Sequence, residues 1–223
     1  MSKKIESIIR KEKYVCALLI SLVPFSLPKV LLYRIFFGYR ISFRAKIGFG
    51  TIISVSKAVI GKVRIGRFNV FTGPFELCLA DGASIGERNK FNCGSWVVQG
   101  RFREYGYLKY FRIGAGTMIT GHHYFDVVGG IELGSGSWIA GRASQFWTHG
   151  TKIEDRSICI GSGCYIGSAV RFAPGTKVGN NCLVGLGSVV TRKFEGDNLM
   201  IAGMPAKVIK EDYKISGRPS GPT

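Results

Sequence analysis

The chain has 223 residues, with 31 Lys and Arg against 14 Asp and Glu, for a formal charge of +17. Hydrophobic residues make up 46%, enough for a packed core, which excludes a disordered or collagen-like chain. The charge points to anionic company: a nucleic acid, a membrane surface or a phosphate-rich small molecule. The 31 glycines are about twice ordinary usage, an excess that calls for some regular use.

Residues 1–40 read as a basic, amphipathic helical segment. Ten Lys and Arg against two Glu give residues 1–46 a charge of +8. The apolar runs Val15–Val23 and Val30–Phe37 are interrupted by Pro24, Pro28 and Arg34, and neither reaches the ~20 residues of a spanning helix. The basic start and short apolar stretch also fit a signal peptide, but no A-x-A-like cleavage site follows. Ile5, Ile8, Ile9, Val15, Cys16, Leu19, Leu22 and Val23 recur at helical spacing between cations. Two readings stay open: a helix lying in an anionic membrane interface, or one packed on the main domain or a neighbouring subunit.

Residues 41–195 carry a six-residue period. Ile41, Ile47, Ile53, Val59, Ile65, Phe71 and Leu77 form one series, and Ile160, Ile166, Phe172, Val178, Val184 and Val190 another. Chance gives thirteen such hits roughly once in several hundred sequences of this composition. Shorter series (Ile85, Phe91, Val97; Ile113, Ile119, Phe125; Leu133, Ile139) bridge the gap. A small residue often stands four places on, as at Thr117, Ser137, Ala143, Cys164, Val170, Thr176, Cys182 and Ser188. A period of six suits short strands joined by tight corners, with one large side chain per strand turned inward. Three strands make one coil, and the coils stack as an all-β, parallel β-helix of about seven turns. Cys164 and Cys182, one coil apart, should stack in its core. The six cysteines show no C-x-x-C pair and read as reduced thiols of a cytosolic protein.

Two interruptions break the period and predict surface loops: near 100–112, where GRFREYGYLKYFR mixes aromatics with cations, and at 150–157, GTKIEDRS, just after a histidine. Residues 196–223 form a C-terminal cap and tail, the last eight read as disordered.

The stretches IGSGCYIGS, APGTKVG, GLGSVVTRK and AGMPAKVIK resemble the hexapeptide-repeat acyltransferases, of the maltose, galactoside and virginiamycin acetyltransferase branch and the surface-polysaccharide O-acetyltransferases. The resemblance is strong over about residues 113–210, extends back to 41, and is absent over 1–40 and 213–223. It implies a left-handed coil, a homotrimer with active sites between columns, and acetyl-CoA laid along the groove as co-substrate. The implied activity is acetyl transfer to a sugar hydroxyl of a bacterial surface polysaccharide or its lipid-linked precursor.

Such a transfer needs a base for the hydroxyl proton and donors for the oxyanion. An imidazole with an ordinary pKa near 6.5 suits the base at neutral pH. Among His122, His123 and His149, the resemblance puts the base at His149, in FWTHG where a loop begins. No carboxylate partner is legible; Glu154 and Asp155 are near in sequence only. The same resemblance assigns acetyl-CoA to Ser168, Leu186, Thr191, Arg192, Lys207 and Lys210; Leu186 departs from the small residue usual at its position, which puts that contact in doubt. Arg101, Arg103, Tyr105 and Tyr107, with His122 and His123, are candidates for the glycan acceptor. The loop residues would stack sugars and hold a diphosphate, or else contact a neighbouring subunit; the histidines would touch substrate or form a solvated corner pair.

Three other functions compete. A zinc hydratase built on the same kind of helix needs three histidine ligands, two of them a few residues apart, whereas His122 and His123 are adjacent; no metal is expected. A non-enzymatic scaffold explains the repeats but not His149 beside a loop. Nucleic-acid binding has only the charge in its favour, without a recognised module. An acyl donor delivered by a carrier protein remains within the enzyme reading. The expected location is the cytoplasm, with or without peripheral attachment to the inner face of the cell membrane.

Overall fold

The computed structural model describes residues 3–150 and 154–215, the side chains of residues 3–10 excepted; the expected disordered tail and part of the 150–157 loop lie outside them. Two helices precede the repeats, α1 (Lys3–Ser21) and α2 (Ser26–Phe37). They are separated at Pro24, which can neither donate to the first helix nor leave the preceding residue helical.

From Arg40 onward, short strands wind into a left-handed parallel β-helix. One face shows its repeat plainly: Ile47, Ile65, Ile85, Ile119, Ile139, Ile166, Val184 and Ile201 stack in parallel register, all buried. That makes eight rungs on this face, against about seven coils expected. A second column is aromatic. Phe71, Phe91, Phe125, Phe146 and Phe172 lie face over face, centroids 4.3 to 4.9 Å apart and planes within 9°. Neighbouring strands sit about 4.8 Å apart, so one ring per coil fills the axis without a gap. Cys164 and Cys182 stack in the core, as their spacing predicts.

The coils are less uniform than a strict period of six requires. Rungs on the first face are 17 or 18 residues apart near the ends, but 34 from Ile85 to Ile119 and 27 from Ile139 to Ile166. The long coils carry the two loops. Val59 is 38% exposed, contrary to its place in the series, because a bulge between Val55 and Lys57 shifts the strand and turns Ala58 and Ile60 inward.

Corners explain the small residues. At one corner Phe68, Arg88, His122, Ala143 and Ala169 all take positive φ, between 56° and 64°, and the next residue (Asn69, Asn89, His123, Ser144, Val170) turns into the core. Ala143 therefore faces out, and Ser144 takes the inward place expected of it. Glycines such as Gly66 serve a different need: a Cβ there would sit 2.5 Å from the Gly86 carbonyl oxygen of the next coil, so the stacked corner closes there on glycine.

α2 caps the open base of the helix. Lys29, Val30 and Tyr33 are fully buried, and Lys29 Nζ donates to the Gly48 carbonyl at 2.7 Å and the Ile47 carbonyl at 3.3 Å. Burial lowers the Lys29 pKa. Tyr33 Oη accepts from Ile53 N at 3.0 Å, tying the cap to the first coil. α1 contributes Ala17 and Ile20 to the core, while Val15, Leu19 and Leu22 of the sequence-predicted stripe are exposed. No helix among the described residues is long and apolar enough to cross a membrane.

Candidate active site

His149 lies just past the strand Gln145–Phe146, where the chain leaves the column for the second loop. Its Nδ1 is 2.6 Å from Asp126 Oδ2. Asp126 follows Phe125 on the coil below and is only 2% exposed. Its carboxylate also accepts from Thr148 N at 2.9 Å, and the Thr148 hydroxyl donates to the Asp126 carbonyl at 2.6 Å while accepting from Gly129 N at 2.8 Å. A buried carboxylate so held orients the ring and makes Nδ1 the protonated nitrogen. That leaves Nε2 as the acceptor, on a side chain 48% exposed. The arrangement can take a proton from a hydroxyl brought to Nε2.

Asp126 is the functional residue that sequence reasoning missed. Its signal was an acid inside the apolar run YFDVV, where a charge is tolerated only if paired. Glu154 and Asp155 do not serve: Asp155 pairs with Lys193 Nζ at 3.0 Å and Ser157 Oγ at 2.8 Å.

Aromatics wall the site. Trp96 and Trp147 each place a ring centroid 6.2 Å from His149. Trp96 stands edge-on to Tyr107 at 5.4 Å and to Phe102 at 5.1 Å. The loop thus folds back through a 3-10 turn, Gly100–Tyr105, and brings Tyr107 beside the histidine through Trp96. Arg103 Nε donates to the Val98 carbonyl at 3.2 Å, Arg101 lies over Phe102, and Tyr105 is 52% exposed next to Tyr107.

The histidine pair divides. His122 is exposed at the positive-φ corner. His123 is 2% exposed, which corrects the expectation of a solvated or substrate-touching pair. Its Nδ1 accepts from Ser144 N at 3.1 Å, its Nε2 meets Thr120 Oγ1 at 3.0 Å, and its own N–H donates to Asn89 Oδ1. Asn69 and Asn89 fill the same corner on lower coils, so His123 is one step of a polar ladder. Burial pushes its pKa down to about 4, which keeps the ring neutral and able to accept.

The remaining candidates lie on three parts of the column. Thr191 and Arg192 are exposed on the His149 corner, two rungs above it. Ser168 and Leu186 are stacked on the corner at the other end of that face, and Leu186 is 81% exposed. Lys207 and Lys210 are exposed on the antiparallel strand Ala206–Lys210, opposite Ala202 and Met200. One chain therefore does not bring His149 together with Ser168 and Leu186. Among the described residues, no three His, Cys, Asp or Glu form a metal-holding group.

No family model matches the chain. It is 43% identical over 69 residues to the galactoside O-acetyltransferase of Escherichia coli K12, covering 26% of this chain and 34% of that protein. A candidate lipopolysaccharide biosynthesis O-acetyl transferase of the same organism, WbbJ, is 41% identical over 59 residues, covering 26% and 30%. The chain thus spans about a third of the length of these curated relatives. Among solved structures, the polysialic acid O-acetyltransferase OatWY matches with a TM-score of 0.56 at 21% identity, over 83% of this chain and 90% of that one. In sequence over about a quarter of its length, and in fold over most of it, the chain is similar to O-acetyltransferases built as hexapeptide-repeat β-helices.

Proposed function

We propose that the protein is an acetyl-CoA-dependent O-acetyltransferase acting on a sugar hydroxyl of a bacterial surface glycan or its lipid-linked precursor. The observation that carries this reading is the 2.6 Å contact of His149 with a buried carboxylate, set beside an aromatic wall in a chain similar to O-acetyltransferases. His149 Nε2 takes the acceptor's hydroxyl proton as the oxygen attacks the thioester carbonyl. Asp126 holds Nδ1–H and stabilises the imidazolium formed. The tetrahedral intermediate then collapses, expelling the CoA thiolate, which recovers the proton from Nε2. No covalent enzyme intermediate is needed.

Acetyl-CoA brings a pyrophosphate and a 3′-phosphate, for which Thr191, Arg192, Lys207 and Lys210 supply hydroxyl and cationic partners. Ser168 and Leu186 would line the thioester end. Because they stand on the corner away from His149, a complete site draws these two groups from adjacent copies, and a homotrimer supplies the adjacency. The exposed apolar residues of the helices (Leu19, Leu22, Phe25, Leu31, Ile35 and Phe36), within a segment of net charge +8, fit peripheral contact with an anionic bilayer at its cytoplasmic face. Glutamate at Leu22, Ile35 and Phe36 should abolish binding to phosphatidylglycerol vesicles and leave the fold intact.

The deciding experiment measures thiol release from acetyl-CoA against a panel of sugars and lipid-linked oligosaccharides, with H149A alongside. Glycan-dependent release that disappears in H149A is expected. Release that persists at full rate in H149A would remove His149 as base.

A further inference from the structure

The two interruptions of the repeat meet beside His149. Arg156, where the second loop returns to the column, places its guanidinium carbon 5.1 Å from the centre of the Tyr107 ring on the first loop. Tyr107 stands edge-on to Trp96, and Trp96 to His149, so one wall runs from the imidazole to the guanidinium. Gly129 brings the Arg156 end of that wall against the catalytic segment. A Cβ there would lie 2.5 Å from Arg156 Cβ and 2.7 Å from the Thr148 carbonyl oxygen, so Arg156 packs next to the residue that precedes His149.

Little in the chain uses this guanidinium. Of its N–H donors, Nε is screened from solvent without a hydrogen-bond partner, and Nη1 reaches only the Glu154 carbonyl, at 3.4 Å. No carboxylate among the described residues lies within ion-pair distance of it. Asp155 is held by Lys193 and Asp126 by His149, and residues 151–153 carry no acid. Lys109, a second cation at this wall, donates to the Tyr107 carbonyl at 2.7 Å. An arginine half-buried on an aromatic ring, its donors unused beside a general base, suits an anion.

We infer that Arg156, stacked on Tyr107, receives an anionic group of the acceptor glycan, a carboxylate or a phosphate, and that the protein prefers an acidic acceptor to a neutral one. The planar fork of a guanidinium matches either group with two parallel hydrogen bonds, and such a pair would give Nε the partner it lacks. A glycan lying along the wall then has its anion at Arg156 and a hydroxyl at His149 Nε2. The anion is the acceptor's rather than the donor's: Arg156 faces the Tyr107 loop, whereas Thr191 and Arg192, proposed for acetyl-CoA, stand two rungs above His149. This inference deepens the acetyltransferase reading and rests on it for the sugar's reaction, but not for the binding itself.

The test is binding without turnover. Full-length protein, with acetyl-CoA absent, is titrated with two matched pairs: tetragalacturonate and its methyl ester, and maltotetraose with and without a terminal phosphate. At least one anionic probe should bind about tenfold more tightly than its neutral partner, and the pair that shows this identifies the anion. R156Q should reduce the preference to under about twofold, and R156K, which keeps the charge but not the fork, should retain part of it. Lys46→Gln with Arg64→Gln, exposed on another face of the column, should leave it whole. Unaltered melting temperatures establish that the variants fold. Equal binding within both pairs, or a preference that survives in R156Q, would overturn the inference. A preference lost equally in the Lys46 and Arg64 variant would reduce it to net charge and overturn it as well. Absence of acetyl transfer with the preference for the anionic probe intact would instead sink the acetyltransferase reading alone.

Discussion

His149 Nδ1 and Asp126 Oδ2 meet at 2.6 Å across one coil boundary and 23 residues of sequence. Thr148 N and His149 Nδ1 share Asp126 Oδ2, so Asp126→Asn keeps an oxygen for both but removes the negative charge that stabilises the imidazolium. The expected result is a loss in kcat on the order of 10²- to 10⁴-fold, with the KM for acetyl-CoA and the melting temperature little changed. Steady-state kinetics at saturating donor checks this; an unchanged kcat would show that the carboxylate has no part in the proton transfer.

His123 makes the fold sensitive to acid. Its pKa falls from an ordinary 6.5 to about 4 by burial. Between those values the unfolded chain binds a proton that the folded chain does not, so stability declines as pH drops from about 6.5 toward 4. The slope approaches about 1.4 kcal/mol per pH unit and the total is on the order of 3 kcal/mol. His123→Asn puts an Oδ1 where Nδ1 accepts from Ser144 N, as Asn89 Oδ1 already does for His123 N. Urea denaturation at pH 7.5 and 4.5 should show a smaller acid loss in this variant than in the parent.

The phenylalanine column holds the site level. Phe125 is fully buried between Phe91 and Phe146, directly before Asp126. Phe125→Ala should cost about 3–5 kcal/mol, and Phe125→Leu under about 1.5 kcal/mol. Calorimetric melting of both variants, with kcat measured on the leucine form, separates support of the column from chemistry: the leucine enzyme should stay active.

Charge reversal at Arg192 and Lys207 should raise the KM for acetyl-CoA about tenfold or more, increasingly so at low salt, and leave the acceptor KM alone. A stronger test follows from the two corners. H149A and Leu186→Trp, each inactive alone, should regain part of the activity when unfolded together and refolded, because some mixed assemblies pair an intact His149 with an intact Leu186. No recovery on co-refolding would place both groups' work within one chain.

The repeat was readable because it depends on burial alone. One apolar side chain per strand must enter the axis, and six residues span a strand and a corner. The same rule located Cys164 over Cys182. It failed at Val59, where a bulge adds a residue that no composition rule announces. It also failed at His123, whose place depends on which residue of a pair takes the positive-φ corner.

The sequence by itself determined the coil, its inward ladder, the interruptions and the histidine at the edge of one of them, since each follows from local periodicity and residue chemistry. Only the tertiary structure decided what stands over what. Coils of 17 to 34 residues stack by backbone hydrogen bonds, so sequence distance does not convert into height along the column. For that reason Asp126, rather than Glu154 or Asp155, is the partner of His149. Coil stacking and the docking of α1, not spacing along the chain, set which groups become neighbours.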